Sequence, residues 1–117
     1  MYNKIKETII RNKYFKIYQS DSYNPIDILQ KLLNNNFKIF DVIVYEDADL
    51  GFKTFDGSYS VEEFLEKYDT FRKEDILKIM INLEDGNRIV VDDNSISLIT
   101  TENIEIDSYL SMNTPKL

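Results

Sequence analysis

The sequence predicts an α+β fold: an antiparallel sheet with a C-terminal three-stranded meander and a hairpin, packed against about three helices. The strongest signal is apolar alternation with a period of two between residues 76 and 100, interrupted by two tight turns. A second signal is apolar spacing of three and four residues in two stretches, 25–33 and 61–68. Strands and helices come in separate runs, which favours α+β over a parallel βαβ fold. The 117 residues predict a single domain, 1–117, with a frayed tail over 111–117.

The first turn of the meander falls at 84–87, where the sequence reads Glu-Asp-Gly-Asn. A three-residue loop, Asp85–Asn87, would place Ile81 opposite Val91, whereas a two-residue loop would place it opposite Val90. Both loops are compatible with the turn residues. We predict the three-residue loop because it pairs apolar residues with one another across the strands.

The second turn, at Asp93–Asn94, suits a two-residue loop that sets Val91 opposite Ile96 and Ile89 opposite Leu98. One face of the meander is then apolar throughout, and it needs helices to cover it. Its residues are Ile79, Ile81, Leu83, Ile89, Val91, Ile96 and Leu98. The second face carries Met80, Val90 and Ile99. It is either a homodimer surface or is covered by the hairpin and the N-terminal segment.

At the N-terminus, residues 2–13 are predicted to form the first helix. Ile5 and Ile9 lie four residues apart and share a helical face, with Tyr2 one turn earlier. Residues 14–18 form either a short strand or the continuation of that helix, and their β-branched and aromatic content favours the strand.

A second helix begins at Asn24 and Pro25, which suit the N-cap and the first helical position. Its apolar stripe consists of Ile28, Leu29, Leu32 and Leu33. Asn34–Asn36 is expected to end it, because Asn tolerates left-handed backbone. Residues 37–45 then form a strand that is apolar on both faces, as is typical of a central strand.

The hairpin consists of this strand, an acidic turn over 46–51 and a partner strand over 52–55. Another turn is predicted at Asp56–Ser58. Ser60 and Glu63 then form a capping box that begins a helix expected to end near Phe71. At the C-terminus a short docking helix is predicted from four residues, Ile104, Ile106, Tyr109 and Leu110.

The composition excludes several kinds of chemistry. There is no histidine and no cysteine, so Ser-His-Asp and Cys-His catalysis, zinc sites with His or Cys ligands, and disulfides are all excluded. The three glycines lie far apart, which excludes a glycine-rich phosphate loop. We therefore predict no catalytic residue, no metal and no cofactor. No apolar run resembles a signal peptide or a membrane span, so a cytoplasmic protein without membrane contact is expected.

The net charge of −7 is unevenly distributed. Residues 1–20 contain five bases and one acid, a sum of +4, which leaves −11 for the rest. An acidic body repels nucleic acid and attracts basic surfaces. The mixture of bases and aromatic residues in 14–18 is also found in single-strand nucleic-acid platforms. We favour instead a helix that docks on the sheet with its lysines turned outward, and we predict no direct contact with nucleic acid.

Five acids lie on or beside the hairpin and could in principle bind a hard cation: Asp41, Glu46, Asp47, Asp49 and Asp56. No lysine has an acid two residues before it, as a restriction-type nuclease would require. Asp47 and Asp49 match two positions of a calcium loop, but Gly51 is one residue early and Ser58 stands where Glu is needed. These acids therefore suggest a solvated turn or a binding surface rather than a metal site.

A partner-binding surface is predicted where acids surround aromatic residues, because the acids would speed association and the aromatic residues would hold the partner. Its members are Glu46, Asp47, Asp49, Phe52, Phe55, Tyr59, Glu62, Glu66 and Asp69. Glu62, Glu66 and Asp69 would form one stripe on the outer face of their helix. Like charges at this spacing disfavour the helix slightly, which suggests that the stripe serves binding.

The leading hypothesis is a small acidic, non-catalytic protein-binding module. It would act as an inhibitor that covers the basic nucleic-acid-binding surface of a partner enzyme, as bacterial immunity proteins and phage-encoded anti-defence proteins do. This comparison is one of size and charge. The composition is rich in Ile, Lys, Asn and Tyr, as is typical of proteins encoded by AT-rich bacterial or phage genomes. Two alternatives are a carboxylate-dependent metalloenzyme built on Asp41, Glu46, Asp47 and Asp49, and a regulatory subunit that uses the basic arm Lys4–Lys16.

Overall fold

A computed structural model describes residues 2–19, 25–47, 53–68, 76–92 and 95–111, with the backbone alone for 46, 47, 53–56, 68, 76 and 77. Within these ranges the chain is a mixed α/β fold with an antiparallel sheet and helices. The elements are β1 (Asn3–Ile10), β2 (Lys13–Gln19), α1 (Pro25–Asn34), β3 (Ile39–Asp47), β4 (Lys53–Tyr59), α2 (Val61–Tyr68), β5 (Ile76–Leu83), β6 (Arg88–Val91), β7 (Ile96–Thr100) and α3 (Asp107–Leu110).

The described strands form one seven-stranded sheet in the order β1-β2-β7-β6-β5-β3-β4, and every neighbouring pair is antiparallel. The fully buried strand residues all belong to one face. That face includes the seven apolar positions predicted for the meander, and α1, α2 and α3 add Leu29, Phe64 and Leu110 to the same core. The opposite face, on which none of the described helices packs, is called the open face below.

The predicted first helix over 2–13 is wrong, because these residues form β1 and the turn into β2. Arg11 and Asn12 both have positive φ, 51° and 65°, as a two-residue hairpin turn of the primed type requires. β2 pairs with β7, and this pairing decides that 14–18 is a strand. Ile5 and Ile9, whose spacing suggested a helix, are about 60% exposed on the edge strand. Pairing of β1 with β2, which itself pairs with the distant β7, has overridden a local helical pattern.

The predicted turn at Asp56–Ser58 is also wrong, because these residues lie within β4. A bulge accommodates them: Val44 pairs with Gly57, Tyr45 pairs with Phe55, and Asp56 is the extra residue. A Cβ on Gly57 would lie 3.0–3.2 Å from atoms of the Tyr59 side chain. The glycine therefore permits the close approach of that side chain rather than a turn.

The first meander turn differs from both predicted loops. Ile81 pairs with Ile89, so the register is displaced by two residues from the predicted pairing with Val91. The backbone N–H of Leu83 donates to the Asn87 carbonyl, which leaves three residues, 84–86, in the turn. Gly86 supplies the left-handed residue, with φ 90°. Because the shift is by two residues, the side chains keep their faces. At the second turn, Val91 pairs with Ile96 and Ile89 with Leu98, as predicted.

The capping box of α2 is confirmed by two hydrogen bonds. The Ser60 N–H donates to Glu63 Oε1 (3.1 Å), and the Glu63 N–H donates to Ser60 Oγ (3.2 Å). α1 ends as expected, with Asn36 in the left-handed conformation at φ 66°. The predicted end of α2 near Phe71 and most of the predicted tail lie outside the described residues.

Candidate functional site

The described members of the predicted acidic surface belong to α2, β3 and β4, and α2 packs against these two strands at one end of the strand order. Glu62 and Glu66 are both exposed and lie one helical turn apart on α2. β4 is the last strand of the sheet, so one of its backbone edges is not paired with a described strand. Two exposed carboxylates therefore lie close to a sheet edge, in a position that a partner protein could contact.

Tyr59 ends β4 and is half-buried beside α2. Lys67 Nζ donates to the Tyr59 hydroxyl (2.7 Å), and the same ammonium lies 5.0 Å from the ring centroid. The lysine therefore holds the ring in place by a hydrogen bond and a cation–π contact. Any partner reaching this ring would also meet a positive charge, which the sequence pattern alone did not suggest.

The remaining members of the predicted surface are described less fully. The backbones of Glu46 and Asp47 pair with those of Thr54 and Lys53, and Phe55 lies in β4. These pairings put the acidic end of β3 directly beside β4. Three further members, Asp49, Phe52 and Asp69, lie outside the described residues.

Asp41 takes part in a chain of hydrogen bonds across four strands. Asn82 Nδ2 donates to Asp41 Oδ1 (2.6 Å), Ser58 Oγ donates to Asp41 Oδ2 (3.1 Å), and Arg88 Nε donates to Asn82 Oδ1 (2.6 Å). Both carboxylate oxygens of Asp41 thus accept hydrogen bonds from protein groups. Among the described residues no group of three or more acidic side chains is arranged to hold a metal ion.

A second charged cluster, which sequence analysis did not identify, surrounds Lys16 on β2. The interpretation that the lysines of 14–18 turn outward is wrong for this residue, because its side chain is fully buried. Its ammonium donates to Asn103 Oδ1 (2.5 Å) and to the Ile104 carbonyl (2.9 Å). Carboxylate oxygens of Glu105 and Glu7 lie 3.4 Å and 3.7 Å away. The buried cation is therefore compensated by groups from β1 and from residues 103–105.

The partners of Lys16 are themselves linked. Lys4 Nζ donates to Glu7 Oε1 (2.9 Å) and to Glu105 Oε1 (2.7 Å), and the Tyr18 hydroxyl donates to Glu105 Oε2. The Ile106 N–H donates to the same hydroxyl (3.2 Å). These bonds join the N-terminal hairpin to the segment that leads into α3. The cluster is therefore a structural junction between these two segments, and its carboxylates and Lys4 lie at the protein surface.

These contacts shift the pKa values of Glu105, Tyr18, Lys4 and Glu7, and the hydrogen bond from Lys4 lowers that of Glu7. Hydrogen bonds from Lys4 and then Tyr18 lower the pKa of Glu105 to about 2. Burial, followed by donation to Glu105, raises the pKa of Tyr18 to about 12. The hydrogen bond to Glu105 also raises the pKa of Lys4. Glu105 and Lys4 are therefore charged and Tyr18 is neutral across the neutral pH range.

A local signal for the Lys16 cluster exists but is ambiguous. Tyr14, Lys16 and Tyr18 alternate with Phe15 and Ile17, so the lysine shares a strand face with two tyrosines. The sequence does not show which face is buried, because both carry large apolar groups. Of the two acids that compensate Lys16, Glu7 lies on β1 and Glu105 lies some 90 positions further along the chain than the lysine. Only the fold brings them together.

Comparisons with protein-family models, with curated proteins and with solved structures found no significant match for this chain. In the part of the chain that the structure describes, no helix has the length and apolar character needed to cross a membrane.

Proposed function

We propose that this protein is a non-catalytic protein-binding module whose acidic edge, formed by β3, β4 and α2, covers the basic nucleic-acid-binding surface of a partner enzyme. The observation that carries the proposal is the pair of exposed carboxylates, Glu62 and Glu66, on the helix that packs against β3 and the edge strand β4. From 39 to 68 the chain contains eight acids and two bases, a sum of −6, within a protein of net charge −7.

This arrangement suits a partner that normally binds phosphates. A row of carboxylates attracts the lysines and arginines that line nucleic-acid sites, and such attraction raises association rates strongly at low salt. Occupying that surface would exclude the nucleic acid by charge and by volume, so inhibition requires no catalytic group in this chain. Immunity proteins of bacteria and anti-defence proteins of phages are the functional classes that fit this mode of action.

The basic-arm alternative is weakened by the contacts of the hairpin. Lys16 is buried, and Lys4 is engaged with Glu7 and Glu105. The metalloenzyme alternative depends largely on side chains outside the described residues. A rise in melting temperature with millimolar Mg²⁺ or Mn²⁺ would support it, since a ligand that binds only the native state stabilises that state.

The test compares three tagged proteins as baits in lysate of the host cell, with elution by salt and mass spectrometry of the eluate. They are the wild type, Glu62→Lys/Glu66→Lys, and a control, Glu84→Lys/Glu102→Lys, which reverses two exposed acids elsewhere. We expect the wild type and the control to retain one basic nucleic-acid enzyme, which salt releases, and the α2 variant to lose it. Purified target would then be assayed for inhibition.

Two results would contradict the proposal. One is a partner whose retention is insensitive both to salt and to the α2 reversal. The other is a purified partner that binds this protein yet keeps full activity on nucleic acid. Circular dichroism and thermal unfolding of each bait exclude misfolding as the cause of lost binding.

A further inference from the structure

The open face of the sheet departs from the pattern expected of a solvated face. Antiparallel sheets that face water on one side usually alternate apolar and polar residues, with the polar ones turned outward. Here the open face has large apolar side chains at the centre of the sheet, each half-buried. They are Phe15, Ile17, Ile43, Met80, Val90 and Ile99.

The strand registers arrange this face into two lateral rows. In the first row, direct pairing partners run across the whole sheet in the order Ser58, Ile43, Met80, Val90, Ser97, Ile17 and Lys6. In the second row they run Asp41, Asn82, Arg88, Ile99, Phe15 and Thr8. Six steps of about 4.8 Å make the first row about 29 Å long, comparable with the side of a standard interface footprint of about 800 Å².

The charge of the open face is opposite to that of the protein. Among the described strand side chains on this face there are four bases, Lys6, Lys13, Lys78 and Arg88, and one acid, Asp41. The sum is +3 in a chain whose net charge is −7. The carboxylate of Asp41 is also engaged with Asn82 and Ser58. An approaching molecule therefore meets an apolar centre flanked by positive charge.

We propose that the open face is a second interaction surface, and that it binds a protein whose contact surface is apolar at its centre and acidic around it. This surface is separate from the acidic edge of the proposed function and does not depend on it. Charge complementarity selects the partner. The apolar side chains of the two rows supply the contact area, and the four bases orient the partner and raise the association rate.

Two other occupants fit the face less well. A second copy in a face-to-face dimer would set four bases against four bases, which disfavours that arrangement. Single-stranded nucleic acid needs aromatic side chains on which bases can stack. Among the described side chains whose strand pairing assigns them to this face, Phe15 and Tyr45 are aromatic, and the Tyr45 ring already has the Lys78 ammonium 5.3 Å from its centroid.

The test measures binding by fluorescence anisotropy to defined probes. The main probe is a random copolymer of glutamate and tyrosine, which combines carboxylates with large side chains. Polyglutamate, which has the charge alone, and a single-stranded thymidine oligonucleotide serve as comparisons. Sedimentation equilibrium of the protein alone reports self-association.

The face variant is Lys13→Glu/Lys78→Glu, and its matched control is Lys31→Glu/Lys38→Glu, which makes the same charge change away from the open face. Met80→Gln tests the apolar centre with little change of volume, and thermal unfolding of each variant checks its fold. We expect the copolymer to bind the wild type and the control alike, with about tenfold weaker binding to the face variant and to polyglutamate. Met80→Gln should weaken binding severalfold.

Several outcomes would overturn the inference. They are no binding of the copolymer, equal loss in the face variant and its control, tighter binding of the oligonucleotide than of the copolymer, and self-association abolished by the face variant. Since the variants of the acidic edge lie on α2, failure of one proposal is distinguishable from failure of the other.

Discussion

The buried lysine allows a quantitative prediction about which member of its network matters most for stability. Lys16 is fully buried, whereas the side chain of Glu105 is half exposed. Burial alone would suggest that replacing Lys16 is the more damaging change. We predict the reverse: Glu105→Gln destabilises the protein more than Lys16→Met does.

The reason is the asymmetry of solvation in the pair. Glu105→Gln leaves a buried ammonium with less compensation, and an uncompensated buried charge is strongly destabilising. Lys16→Met removes that ammonium and keeps the bulk of the side chain. Its former partners lie near the surface, where water can replace the lost hydrogen bonds.

The magnitude follows from the distance between the charges. At 3.4 Å, Coulomb's law gives about 5 kcal/mol for an effective dielectric constant of 20 and about 1 kcal/mol in water. Because Glu105 is half exposed, the interaction should lie between these limits, at about 2 kcal/mol. Including the weakened bond from Tyr18, we expect Glu105→Gln to cost about 2–4 kcal/mol and Lys16→Met about 1 kcal/mol.

Urea unfolding at pH 7 of the wild type, both single variants and the double variant measures the coupling directly. Glu105→Gln should cost about 2 kcal/mol less in the Lys16→Met background than in the wild type. A coupling below about 0.5 kcal/mol, or a larger loss from Lys16→Met than from Glu105→Gln, would refute the reasoning. Low pH provides a check on the sign. The pKa of Glu105 falls from 4.5 to about 2 on folding, so its stabilisation is complete above about pH 5 and is lost as the pH falls towards 2. The wild type and Glu105→Gln should therefore converge in stability over that interval.

Two further predictions concern the same hairpin. Folding raises the pKa of Tyr18 from 10.0 to about 12, so its contribution is complete below pH 10 and is lost as the pH rises towards 12. Tyr18→Phe should lower the free energy of unfolding by about 1–3 kcal/mol at pH 7 and should lack this alkaline loss. Urea unfolding between pH 8 and 12 measures the difference, and a parallel loss of stability in both proteins would contradict the assignment. At the turn, Arg11→Asn/Asn12→Gly should stabilise the protein by about 1 kcal/mol, because the introduced asparagine and glycine tolerate positive φ values of 51° and 65° better than the original residues do. The melting temperature should rise for this double variant and stay unchanged for Arg11→Ala, which removes the charge but keeps a side chain at positive φ. An equal rise in both variants would show that loss of the Arg11 charge is the cause.

Local signals in the sequence were sufficient for some elements. The capping box needs only Ser60 and Glu63, three residues apart, so its two hydrogen bonds form within the start of the helix itself. The buried face of β5, β6 and β7 follows from alternation, and a pairing register that differs by two residues from the prediction keeps the side chains on their predicted faces. The second turn was predicted with its register because a two-residue loop leaves little choice.

The acidic surface could be predicted only in part. The exposure of Glu62 and Glu66 follows from their positions opposite the apolar stripe of α2. The ammonium of Lys67 over Tyr59 does not follow, since it depends on how closely the helix approaches β4. The continuation of β4 through Gly57 depends on a bulge, and a bulge leaves no distinct mark in the residues around it.

By itself the sequence determined the class of fold, the caps, the excluded chemistries and the excess of acids. Tertiary structure alone decided that 3–10 is an edge strand, that Lys16 is buried against Glu105, and that the open face carries a positive charge. The first group rests on interactions between residues a few positions apart, which a pattern in the chain records directly. The second rests on which strands pair within the assembled sheet, including segments some 80 positions apart, such as those of Phe15 and Ile99.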